Sequence, residues 1–138
     1  INRYIYMKNQ DSILIFGSSG QIGKSLIRKF TKNNYRVTAV TRSIHQKGYQ
    51  IKTQSNYGYL ELEEIKSFTE ENISRLMRNN TVCINLIGIL YEKKKIILIR
   101  YIQIFHLCYQ KLRKKTLLTN LFIYQLWASS PQLIVIML

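Results

Sequence analysis

The sequence predicts an α/β fold, a doubly wound parallel sheet, and three observations carry that reading. Ile13 to Phe16 is a short apolar run that reads as a buried strand. Gly17, Gly20 and Gly23 follow at the spacing G-x-x-G-x-x-G. Beyond the turn, Ile22, Leu26, Ile27 and Phe30 recur at helical period and mark one face of a helix. Strand, glycine turn and helix in that order make the phosphate-binding corner of a dinucleotide fold.

Each glycine has a separate task in such a corner. Gly17 permits the tight turn off the strand, Gly20 lets backbone approach a pyrophosphate, and Gly23 lets the helix pack close to the strand. The unpaired N–H groups at the start of the helix, with its positive dipole end, supply the anion site. The candidate cofactor-binding residues here are Gly17, Ser18, Ser19, Gly20, Gln21, Ile22 and Gly23. Gly23-Lys24-Ser25 imitates the end of a P-loop, but the glycine that loop requires would fall at Ser18. Gly17 is one residue too far back, and the spacing argues against ATPase or GTPase chemistry.

The remaining elements follow in order. Asn33 and Asn34 suit the end of the first helix. Tyr35 to Thr41 alternates and is β-branched, the pattern of a second strand reached by a right-handed crossover. Arg42 stands at its carboxyl end, where an arginine accommodates a 2′-phosphate and a carboxylate would bind the 2′-hydroxyl. The cofactor expected is therefore NADP(H) in preference to NAD(H). Residues 43–58 are polar, with Gly48 and Gly58 as breakers, and read as an excursion before a third strand at Tyr59 to Ile65. Thr69 is a fitting N-cap for a helix through Glu70, Ile73, Leu76 and Met77, stopped at Asn79-Asn80. Thr81 to Leu90 completes a fourth strand, with Asn85 and Gly88 toward its carboxyl end. The run β-α-β-α-β-α-β is the first half of a Rossmann-type sheet.

With 138 residues the chain has room for one domain with a modest core, without a separate substrate domain. The net charge of +14 would by itself suggest nucleic acid or an anionic membrane. Its distribution is uneven and weakens that inference, because the seven acids all lie between Asp11 and Glu92, and eight Lys or Arg follow without one. All six glycines likewise lie at or before Gly88. No RNA- or DNA-binding signature is present, so nucleic acid is not an expected partner. Cys83 and Cys108 match no zinc or CxxC spacing and read as buried thiols in a reducing compartment, with no metal site. No secretory signal precedes the first strand, and Met7 is the expected native start, residues 1–6 lying upstream.

Gly17-x-x-Gly20-x-x-Gly23, Thr41-Arg42 and above all Asn85-Leu86-Ile87-Gly88-Ile-Leu-Tyr-Glu resemble the atypical short-chain dehydrogenase/reductase group. The likeness within it is to the nucleotide-binding accessory subunit of respiratory complex I and its bacterial relatives, over residues 11–92. It implies an NADP(H)-binding domain with the glycines at the pyrophosphate and Arg42 at the 2′-phosphate. Asn85, Leu86, Ile87 and Gly88 would then lie near the nicotinamide ribose. The resemblance further implies a structural or assembly role rather than turnover, with complex I or inner-membrane assembly factors as partners. The implied location is cytoplasmic, peripheral at the inner membrane. Lys66 departs from the Asn or Asp usual there beside the adenine. A small reductase or epimerase of the same superfamily is the alternative, and would need a Tyr-x-x-x-Lys pair after a fifth strand. Tyr91/Lys95 and Tyr4/Lys8 have the spacing but not the place, so no catalytic residue is assigned.

Residues 93–138 form a basic and apolar tail that does not share the likeness. Read one base out of frame, codons for Asn120 to Ala128 can spell Phe-Ile-His-Ile-Ser-Ala-Leu-Gly, and two other stretches behave similarly at family spacing. The expectation is a frameshifted tail beginning near Lys93-Lys94-Lys95, leaving a truncated sheet of four strands with an uncovered edge and impaired binding. A selected tail would instead make the chain a basic module associated with membrane or nucleic acid. Leu117 to Leu138 is uncharged and long enough to span a bilayer, but Asn120, Gln125, Pro131 and Gln132 make it a poor span.

Overall fold

A computed structural model describes residues 11–56, 58–87, 103–104, 106–108, 110–111, 122–126 and 133–136. Its elements are β1 (Ser12–Phe16), α1 (Gln21–Lys32), β2 (Arg36–Thr41), α2 (Ile44–Lys52), β3 (Leu60–Glu64), α3 (Glu70–Arg78), β4 (Val82–Asn85), β5 (Phe122–Leu126) and β6 (Leu133–Ile136). They form one sheet in the order β3-β2-β1-β4-β5-β6. β1 to β5 run parallel and β6 pairs antiparallel to β5. The fold is a Rossmann-type α/β sheet.

β1 reads as unbroken apolar sequence because it is buried on both faces. Ile13 and Ile15 pack with Ile27 of α1, Ile51 of α2, and Val37 and Ala39 of β2. Leu14 and Phe16 point the other way, into a cluster with Ile73, Leu76 and Met77 of α3 and with Cys83 and Cys108. Residues 103–104, 106–108 and 110–111 are helical. They are tied to the first turn of α3, where Lys111 pairs with the Glu70 carboxylate and the Cys108 thiol donates to the Glu70 carbonyl at 3.4 Å.

The helix ends follow the local chemistry. Asn33 closes α1, and Asn34 takes φ +62°, a left-handed conformation that asparagine tolerates. The Thr69 hydroxyl accepts the Asn72 N–H at 3.4 Å and Glu70 and Glu71 stand in the first turn of α3, both as the sequence suggests.

Three expectations change. Residues 43–58 are not an irregular excursion, since Ile44–Lys52 is helical. Ile44, Gly48 and Ile51 carried the helical period, but a polar surface hid it. Gly48 is buried and lies against Ile44 and Leu62, where a β-carbon would stand 3.1 Å from the Ile44 side chain. β4 ends at Asn85 instead of running on to Leu90, because the Asn85 side chain turns back on its own backbone; residues 88–90 lie outside the described residues. The edge beside β4 is paired as well. β5 registers Val82 with Phe122 and Asn85 with Gln125, and β6 follows it. Phe122 to Leu126 is rich in apolar and aromatic residues suited to a strand, whatever its origin.

Candidate functional site

The carboxyl ends of β1 and β4 are the site's foundation. Strand order reverses there, because β2 and β3 lie to one side of β1 and β4 to the other, the arrangement that in open α/β sheets leaves a ligand-binding crevice above the strand ends. Phe16 registers with Asn85, and the Leu86 N–H donates to the Phe16 carbonyl at 3.0 Å. The chain then leaves β1 through Gly17 at φ +77°. A β-carbon on Gly17 would meet the Leu86 carbonyl carbon at 3.0 Å and the Ile87 nitrogen at 3.2 Å. Only glycine fits both the dihedral and the space.

The turn closes when the Gly20 N–H donates to the Gly17 carbonyl at 3.2 Å and the Lys24 N–H reaches the Gly20 carbonyl at 3.0 Å. Gly23 is buried against this turn, and a β-carbon there would stand 2.6 Å from the Gly17 oxygen. Gly20 is the N-cap of α1 and offers it no side chain, and the helix's first turn holds no acid. Gly20, Gln21 and Ile22 are exposed at this end. The first-turn amides and the dipole are thus presented to whatever anion enters the crevice.

The neighbouring residues divide into supports and candidates for contact. Ser18 is fully buried and its hydroxyl donates to the Val40 carbonyl at 2.7 Å, so that side chain anchors the turn to β2 and does not face the crevice. Ser19 is half-buried beside it. Asn85 is also buried, and its Oδ1 accepts the Ile87 N–H at 3.1 Å, shaping the segment that abuts Gly17. Leu86 and Ile87 are half-buried at the crevice, whereas Gly88 lies outside the described residues. The structure therefore brings Gly17 to Gly23 together with Asn85 to Ile87.

Arg42 is exposed one residue past β2. Beside it stands a residue that sequence reasoning missed. Glu64 ends β3 in register with Thr41, and its Oε1 accepts the N–H of Ile44, the first residue of α2, at 3.2 Å. Ser43, the N-cap of α2, makes no side-chain cap, and its own N–H reaches the Thr41 hydroxyl at 3.4 Å. A cap supplied from twenty residues away on another strand leaves no local signature. Tyr91 and Lys95 lie outside the described residues, as do Tyr4 and Lys8. Among the described residues no cluster of His, Cys, Asp or Glu could hold a metal ion.

The NmrA-like family model matches residues 9–100, two-thirds of the sequence and the whole of this crevice as described. The chain belongs to the NmrA-like family. Among solved structures this NmrA-like chain is similar to yeast methylglyoxal/isovaleraldehyde reductase Gre2 complexed with NADPH, at TM-score 0.50 and 13% identity, over 58% of this chain and 25% of the reductase. It also matches BdcA of E. coli complexed with NADPH, at TM-score 0.49 and 13% identity, over 71% of this chain and 43% of BdcA. It spans about a quarter of the yeast reductase, and at that identity the likeness shows the fold. No curated protein matches it significantly.

Proposed function

We propose that this NmrA-like chain is the dinucleotide-binding part of an NAD(P)(H)-dependent protein of reductase type. One observation carries the reading: a glycine turn locked onto Leu86 presents a helix start with glycine at its N-cap and no acid in its first turn, at the point where strand order reverses. The pyrophosphate would sit on the amides of Gly20 to Ile22. Leu86 and Ile87 would line the nicotinamide side with Gly88, and Arg42 would meet the adenosine ribose and any 2′-phosphate on it. Gre2, crystallised with NADPH, supports a nicotinamide dinucleotide as the ligand class. A reductase or epimerase reading accords with the comparisons better than an assembly role. The narrower likeness to the complex I accessory subunit, with its membrane-side partners, rests on the Gly17, Gly20 and Gly23 spacing, Thr41-Arg42 and the Asn85 to Glu92 motif.

Titration of the folded full chain with NADH and NADPH, followed by reduced-cofactor fluorescence and calorimetry, tests this. Micromolar or tighter binding is expected, and a folded chain that ignores both would overturn it. Turnover with small aldehydes then separates a reductase from a non-catalytic binder. That the residues from about 94 onward are a frameshifted tail remains part of this proposal, and the family match itself runs on to residue 100. DNA sequence across Lys93-Lys94-Lys95 and Asn120 to Ala128 decides that point: codons unable to yield the displaced peptide would end the frameshift reading.

A further inference from the structure

We infer that Glu64 sets the choice between the two nicotinamide dinucleotides, acting against Arg42; the inference rests on the dinucleotide-binding reading above. β1 to β4 end at Phe16, Thr41, Glu64 and Asn85 on the crevice edge of the sheet, and Glu64 alone of these is charged. Its carboxylate holds the Ile44 N–H at 3.2 Å and is half-buried, so solvent screens it less than a surface charge. α2 has no acid in its first turn and no side-chain cap from Ser43. Glu64 therefore supplies the anion that the α2 start would otherwise take from elsewhere.

Arg42 lies two residues before Ile44, within about 7 Å along the chain. A 2′-phosphate drawn to Arg42 thus arrives beside an amide already paired with a carboxylate. The phosphate carries about −1.5 to −2 charge at neutral pH. It gains the guanidinium and meets the carboxylate, while NAD(H), which has a ribose hydroxyl there, avoids the repulsion and can donate to Glu64. Arg42 read alone favours NADP(H); the pair read together makes a site that takes both cofactors with a small preference.

Gln is the discriminating replacement, because its amide oxygen can still accept from Ile44 and preserve the cap. Dissociation constants for NADH and NADPH are measured on the full-length wild type, Glu64→Gln and Arg42→Gln. The wild type is expected to prefer one cofactor by less than tenfold, Glu64→Gln to move the ratio toward NADPH by tenfold or more, and Arg42→Gln to move it toward NADH. A Glu64→Gln ratio that moves threefold or less, or toward NADH, overturns the inference; any larger move toward NADPH supports it. A merely structural Glu64 would weaken both cofactors alike and leave the ratio fixed. If the folded wild type binds neither, the functional reading itself has failed.

Discussion

Gly17 and Leu86 approach so closely that a single added carbon on Gly17 would stand 3.0 Å from the Leu86 carbonyl carbon. That contact joins the turn after β1 to the segment after β4 and fixes the two walls of the crevice relative to each other. Gly17→Ala must abandon φ +77° or push the wall away. A left-handed alanine costs about 1–2 kcal/mol before any clash. A fall of roughly 5–10 °C in Tm is expected, with loss of dinucleotide binding, read by thermal unfolding with and without cofactor.

Gly20→Asp separates binding from folding. Gly20 has φ −72° and ψ 166°, dihedrals open to any residue, and it is the exposed N-cap of α1. A β-carbon there meets only the Gly17 oxygen at 3.3 Å, which a slight shift relieves. Aspartate should cap α1 and hold Tm level or raise it by a few degrees. The same carboxylate occupies the anion site, so dinucleotide affinity should drop tenfold or more. Unchanged affinity in isothermal titration would show that the pyrophosphate does not sit there.

Ser18→Ala removes the buried hydroxyl that donates to the Val40 carbonyl at 2.7 Å. The loss is expected to cost about 1–3 kcal/mol in urea unfolding. Because that hydroxyl faces β2, any loss of affinity should follow from loosening of the turn and recover at lower temperature. Affinity that stays low in the fully folded variant would give Ser18 a direct contact.

Alkaline stability should depend on the two thiols. Burial, reinforced by the neighbouring Cys108 charge, raises the pKa of Cys83 far above its ordinary value, and burial raises that of Cys108 as well. In the unfolded chain each thiol ionises near pH 8.5. Their contribution is fully present below that pH and is lost as pH rises toward the folded values, by up to ~1.4 kcal/mol per pH unit per thiol. Urea midpoints measured from pH 7 to 10.5 should fall above pH 8.5, and Cys83→Ala should flatten the fall. In the native state at pH 8, neither thiol should react with a thiol reagent until the protein unfolds.

Much of this is legible in the sequence. The spacing of Gly17, Gly20 and Gly23 between an apolar strand and an amphipathic helix specified the turn, since positive φ and backbone contact admit few other residues. Thr69 and the Asn33-Asn34 pair marked helix ends through bonds made within a few residues. α2 was hidden because its exposed polar residues outnumber the three that face the sheet.

Local sequence thus determined the first four strands, the glycine turn after β1 and the position of Arg42, because each depends on groups close together in the chain. Tertiary structure alone decided what stands across from them. Leu86 closes against Gly17, Ser18 reaches Val40, Glu64 caps α2, and β5 covers the edge of β4. Parallel pairing brings residues twenty or more apart to one edge of the sheet, and no periodicity in the sequence records which of them will meet.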